Sequence, residues 1–316
     1  MIVREGFELP ETLKPCFRKA QKLEWITIAY LATVVVLMYL VMGTSQAMKT
    51  AWLEDVLSSF PAISFLVASY IYDKPATRIF PYGYHRVFSI AFLTGSVALF
   101  SMGCYLAVDA AISLLRADRP SIGSIVILGT PVWMGWLMIL VLLYSALPPV
   151  LLGYKKLPLA KQLHNKILHT DADTQKADYM TAAAAIAGIL GVGLGFWWAD
   201  AVAALLISLS VLRDGCKNLA NAIEDLMDRH PVHIGNDKPD ELVDDIAARV
   251  NAWPWVREAR VRFREHGQVY FGEILVVADD ERAIAEKIEA GIRDLKDLHW
   301  KIHDITVMPV RKLPRR

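Results

Sequence analysis

Two aspartates stand where a carboxylate is hard to keep. Asp55 and Asp178 lie in stretches whose following residues are apolar, and each is followed by small residues: Ser58 and Ser59 in one case, the four alanines 182–185 in the other. Small residues let helices approach closely, which would bring the two carboxylates together. Facing carboxylates repel unless a proton or a cation lies between them. An ionisable side chain at a bilayer centre costs about 2.5–3.5 kcal/mol on insertion scales, so such a pair favours a positive guest. The residues alone leave a second reading open. Glu54 and Asp55 could sit at an outer interface, and Asp171, Asp173 and Asp178 in a wet helix start where carboxylates favour the positive dipole end. Asp109 and Asp200 lie near span ends and read as structural; His164 and His169 read as solvated residues of a basic loop.

These residues matter only if the stretches around them cross a membrane. Of the 316 residues 54% are hydrophobic, and 35 of the 67 charged residues fall in 221–316, leaving 32 for the first 220. The first part is thus poorer in charge, and the last richer, than the roughly 25% of an ordinary soluble domain. Long uncharged stretches recur through the first part and would leave too much apolar surface in water. A span needs about 20 apolar residues, and six stretches qualify: Trp25 to Met42, Ala51 to Tyr72, Val87 to Leu115, Ile122 to Tyr154, one from the polar run Asp171–Asp178 to Leu194, and Phe196 to Leu212. The fourth is too long for one upright helix and too short for two, so Pro131, Pro148 and Pro149 are expected to trim or kink it.

Lys and Arg near span ends stay in the cytoplasm. They gather before the first span (Lys14, Arg18, Lys19, Lys22), between the second and third (Lys74, Arg78, Arg86), and between the fourth and fifth (Lys155, Lys156, Lys161, Lys166). Both termini are therefore expected in the cytoplasm, and no cleavable signal peptide is visible. The charged tail follows the order α-β-β-α-β: a helix on Leu242, Ile246 and Val250, a hairpin turning at Glu265-His266-Gly267-Gln268, a helix on Ile284, Ile288 and Ile292, and a strand at Ile305 and Val307. The expected division is a cytoplasmic segment 1–24, a six-helix transmembrane domain 25–215, a hinge 216–238 and a cytoplasmic α+β domain 239–316. A domain this small gains stability by pairing with another copy. A net charge of +1 gives no reason to expect nucleic acid. Three cysteines without C-x-x-C spacing suggest neither disulfides nor a thiolate zinc cluster. No nucleophile and base pair or metal-hydrolase motif is visible, so an enzyme is not expected.

The run Asp171-Ala172-Asp173-Thr174 to Asp178 resembles the fifth-span signature A-D-x-x-H-x-x-x-D of the cation diffusion facilitator family. Tyr82-Gly83-Tyr84-His85-Arg86 resembles that family's G-Y-H-R motif, and Leu53 to Ser59 its second-span D-x-x-L-x-D-x-x-S-S pattern. Ala199-Asp200-Ala201 with Leu205 to Leu212 resembles its sixth span, and Leu226-Met227-Asp228-Arg229 its hinge. The likeness runs in order over about Trp25 to Val310, and implies a homodimeric six-span carrier with a metallochaperone-like tail. Such carriers move divalent metal, usually zinc, out of the cytosol in exchange for protons.

The same resemblance implies a central site of two ligand pairs spaced i, i+4. Here the second member of each pair is present, as Asp55 and Asp178, while Ala51 and Thr174 stand at the first positions. The expected metal residues are therefore Asp55, Asp178, Thr174 and, if the second span is rotated from the usual register, Glu54. Zinc prefers imidazole or thiolate among four ligands, whereas carboxylate, hydroxyl and water suit harder ions. Zinc, manganese, iron and cobalt are not told apart, and no resident cofactor is expected. His169 and Asp173 offer an offset pair, but Asp178 is the better choice because it accounts for the deeper charge. The family's auxiliary sites lack ligands: the loop 73–80 has one carboxylate beside two cations, and the last strand carries Thr306 and Met308. An alternative follows from Ala51 and Thr174: a non-transporting structural or regulatory member that keeps the fold.

Overall fold

Six long helices occupy most of the chain up to residue 226: α1 (Lys14–Val41), α2 (Gln46–Tyr72), α3 (Val87–Leu115), α4 (Met134–Gln162), α5 (Lys166–Gly193) and α6 (Ala199–Leu226). The computed structural model describes residues 9–127, 129–235, 238–280 and 282–314. Residues 1–8 of the expected N-terminal segment and 236–237 of the expected hinge lie outside them. By length and composition α1 to α4 are apolar enough to cross a membrane. Helices α5 and α6 are as long, 28 residues each. Charged residues lie within both: Asp171, Asp173, Lys176 and Asp178 in α5, Arg213, Asp214 and Lys217 in α6.

Several boundaries differ from those expected. The surplus of the fourth apolar stretch is a hairpin, β1 (Ser124–Ile127) against β2 (Thr130–Trp133), after which α4 starts. Helix α5 starts at Lys166, because Asn165 caps it by accepting from the Leu168 N–H at 3.0 Å, so Asp171 to Asp178 are helix interior. Helix α6 runs past Leu212 to Leu226, through the first half of the stretch expected as a hinge. Lys156, expected among loop cations, lies inside α4 and is fully buried. It can stay there because Glu24 and Asp171 flank it.

Packing follows the small residues. At Gly103 on α3 an added Cβ would stand 2.7 Å from Leu212 Cα, and at Gly215 on α6 2.7 Å from Phe100 Cα, so α3 and α6 touch backbone to backbone. The start of α2 is held by α6: Asp200 accepts from the Ser45 hydroxyl at 2.6 Å and from the Gln46 and Ala47 N–H groups, a carboxylate at the positive end of a helix. Asp109 pairs with Lys49 at 2.8 Å. The core of one half of the bundle is apolar: Val34, Met38, Met48, Met138, Leu142, Ala185, Ile189 and Ile207 pack together.

The tail forms α7 (Leu242–Asn251), β3 (Val256–His266), β4 (Val269–Ala278), α8 (Ile284–Leu298) and β5 (Ile302–Pro309). Strand β4 is central, antiparallel to β3 and parallel to β5. Leu242, Ile246, Val250, Ile274 and Ile305 make its core. Its β3–β4 turn docks on the helices. Gly267 has φ +70°, and an added Cβ would meet the His85 carbonyl oxygen at 2.3 Å, so the turn both requires glycine and touches the loop before α3. Beside it, the Gln268 amide donates to the Leu163 carbonyl at 2.8 Å, and Lys166 bridges Asp225 at 2.7 Å and Glu265 at 3.0 Å. His164, expected to be solvated, is buried here against Tyr270 and Glu265.

Candidate cation site

Helices α2 and α5 present their acids to one small space. Asp55, Glu54 and Asp178 line a small cavity of about 10 Å³, room for about one water, with Ala51, Leu142, Ser145, Thr181 and Ala182. The small residues at 51 and 182 leave that space open, while Asp55 and Asp178 are each only 8% exposed. Glu54 is turned inward as well: its Oε1 accepts from the Thr181 hydroxyl at 3.1 Å. Its other oxygen, and Oδ2 of Asp178, are buried without a hydrogen-bond partner among the described residues. Buried polar atoms ordinarily find partners, so two orphaned carboxylate oxygens beside one cavity mark a place fitted to a positive group.

Thr174 stands apart from this cavity. It lines a neighbouring space of about 50 Å³ that also includes Glu54, Ser58, Thr170, Asp214 and Asn218. That space shares Thr170, Thr174, Asp214 and Asn218 with a third, of about 250 Å³, lined further by His169, Asp173, Lys217 and, from the segment after α6, His233. Glu54 is thus common to the inner cavity and the first of the neighbouring spaces. Ala51, Leu142 and Ala182 of the inner cavity belong to the apolar cluster that also holds Met48 and Ala185. Among the described residues no three His, Cys, Asp or Glu side chains are gathered closely enough to chelate a metal ion. The donors are carboxylates and hydroxyls, and a cation here would keep water ligands.

Sequence reasoning missed Ser145, Thr181 and Asp214, lone polar residues in apolar or mixed stretches with no spacing signal of their own. Glu54 was legible only as a conditional partner.

Residues 25–227 match the family described as the cation efflux transmembrane domain. The chain is also similar to the magnetosome protein MamB of Magnetospira sp. (strain QH-2), at 25% identity over 249 residues, covering 76% of this chain and 77% of that protein. An integral membrane protein is what the apolar helices and the match together describe. The chain belongs to the cation diffusion facilitator, or cation efflux, family of membrane metal-cation transporters.

Proposed function

We propose that the chain exports a divalent cation from the cytosol in exchange for protons, by alternating access around Asp55 and Asp178, with Glu54 as partner and Thr174 in the neighbouring space. The observation that carries this reading is the shared cavity of Asp55, Glu54 and Asp178, in which one oxygen of Glu54 and one of Asp178 are buried without a partner among the described residues. In this reading the conformation is open toward the cytoplasm. All six long helices span, both termini are cytoplasmic, and the membrane is a bacterial inner membrane. The coupling is competitive: the same carboxylates cannot hold a cation and their protons at once. Oxygen donors without imidazole favour a hard ion such as Mn²⁺ over zinc. The α+β domain pairs with a second copy to make a homodimer.

Purified protein in proteoliposomes tests this. Mn²⁺-driven proton flux is expected in the wild type and is abolished in Asp55→Ala and Asp178→Ala. Undiminished flux in both variants removes the reading. Absence of any saturable divalent site in the wild type by calorimetry supports instead a non-transporting structural or regulatory member.

A further inference from the structure

Between α1, α4 and α5 lies a charged cluster outside the cation cavity. The Lys156 ammonium donates to Glu24 Oε2 at 2.7 Å and to Asp171 Oδ2. Glu24 and Lys156 are 0% exposed and Asp171 is 1% exposed. Gln175, one turn along α5 and equally buried, donates its amide N–H to both Asp171 oxygens, at 3.1 and 3.0 Å. Asp171 is therefore satisfied on both oxygens. Glu24 is not: its Oε1 is buried with no hydrogen-bond partner among the described residues.

Two carboxylates and one ammonium leave one surplus negative charge at a site closed to water in this conformation. A buried unpaired charge is far costlier than a neutral acid, and such groups take up a proton instead. The donor pattern says where. Both Asp171 oxygens already accept, so the proton belongs on Glu24. The charged groups acting on Glu24 are Asp171 from α5 and Lys156 from α4. Helix α2, also packed on α1, presents the neutral Ser69 to Gln21, one turn before Glu24.

We propose that Glu24 is a proton-carrying site of the transporter, separate from the cation cavity, loaded when Asp178 is free of metal and unloaded when metal arrives there. Asp171, Gln175 and Asp178 are spaced four and three apart and share one face of α5, with Asp178 about 10 Å further along the axis. A divalent cation beside Asp178 adds positive potential at the triad, which stabilises the Glu24 carboxylate. The Glu24 O–H bond breaks, the electron pair stays on the carboxylate, and the proton passes to bulk water. This rests on the proton-coupled reading above and adds a proton that the cation's own carboxylates do not supply.

The test uses the full chain in lipid nanodiscs. Calorimetry with Mn²⁺, and separately Zn²⁺, in two buffers of different ionisation enthalpy counts protons released per ion bound. Glu24→Gln is expected to fold and bind as the wild type does, because glutamine copies the neutral acid, and to release one proton fewer. Infrared spectra of the metal-free wild type should show a buried carboxylic-acid C=O band that metal removes and that Glu24→Gln lacks. Equal proton counts, an unchanged band, or a Glu24→Gln protein that cannot fold each overturn the proposal. Wild-type binding in Asp178→Asn overturns the underlying transport reading instead. Loss of binding in Asp178→Asn, with equal proton counts for Glu24→Gln and the wild type, sinks the Glu24 site alone.

Discussion

Acid should loosen the dock between the α+β domain and the helices, through His266. The Arg86 guanidinium donates to His266 Nε2 at 2.8 Å and to Asp228 at 2.8 Å, so the imidazole must be neutral there and carry its proton on Nδ1. Burial, then the nearby charges of Arg86 and Arg264, push the His266 pKa down from 6.5 to about 4. The unfolded ring therefore binds a proton more readily than the docked one. The contribution of His266 is full above pH 6.5 and is lost progressively as pH falls toward 4. At pH 5 the loss is on the order of 2 kcal/mol, and its limit below pH 4 about 3 kcal/mol. Burial lowers His85 to about 4 as well, so its effect has the same sign. Glu265 is buried, which alone would raise it, but His164 and Lys166 hold it below the usual carboxylate range. Thermal unfolding of nanodisc-embedded protein at pH 7.5 and pH 5 measures the slope. His266→Gln, which keeps an acceptor for Arg86 but cannot titrate, should lose roughly half of the acid destabilisation, and His266→Gln with His85→Gln most of it. Identical slopes in the wild type and both variants, or greater stability at pH 5, would refute the reasoning.

Three further outcomes follow from the geometry. Asp178→Asn should weaken divalent-ion binding by at least about 100-fold, more than removal of an outer-shell partner does, as read by calorimetry with Mn²⁺. Tyr270→Phe removes the hydroxyl that donates to Asp240 at 2.6 Å in a buried network with Lys301. It should destabilise the α+β domain by about 1.5–3 kcal/mol in denaturant unfolding, the range for a hydrogen bond to a charged group. Gly103→Leu forces α3 off the Leu212 backbone, which an added Cβ would meet at 2.7 Å. It should cost about 1–3 kcal/mol or more through overpacking, seen as a lowered unfolding midpoint, whereas Gly95→Ala, with nothing within 4 Å, should leave that midpoint nearly unchanged.

Much of the architecture was legible because it is written locally. Val87 to Leu115 is one uncharged face after another apart from Asp109, and the helix has those ends. The alternation around Val261 and Phe263, and a glycine between two apolar runs, mark β3, β4 and their turn. The surplus of residues after Ile122 was visible, but its solution as a hairpin was not, since the prolines allow either a kink or a strand. Asp55 and Asp178 could be singled out as costly, yet nothing in their spacing told which neighbours would share their space.

What the sequence determined by itself is the length and polarity of each helix, the order of the tail, and the two acids that an apolar setting makes expensive. What only the tertiary structure decided is which charges meet. Glu24, Lys156 and Asp171 come together across 132 and 15 residues of chain, and a lysine that reads as a loop cation becomes the centre of a sealed cluster. Glu54 joins Asp178 in one cavity because Thr181 of α5 holds it inward, and His164 is buried because the β3–β4 turn lands on it. Hydropathy and periodicity report the free energy of a segment against its solvent. Pair electrostatics and close packing depend on the separation of atoms from different segments, which is set only when the helices dock.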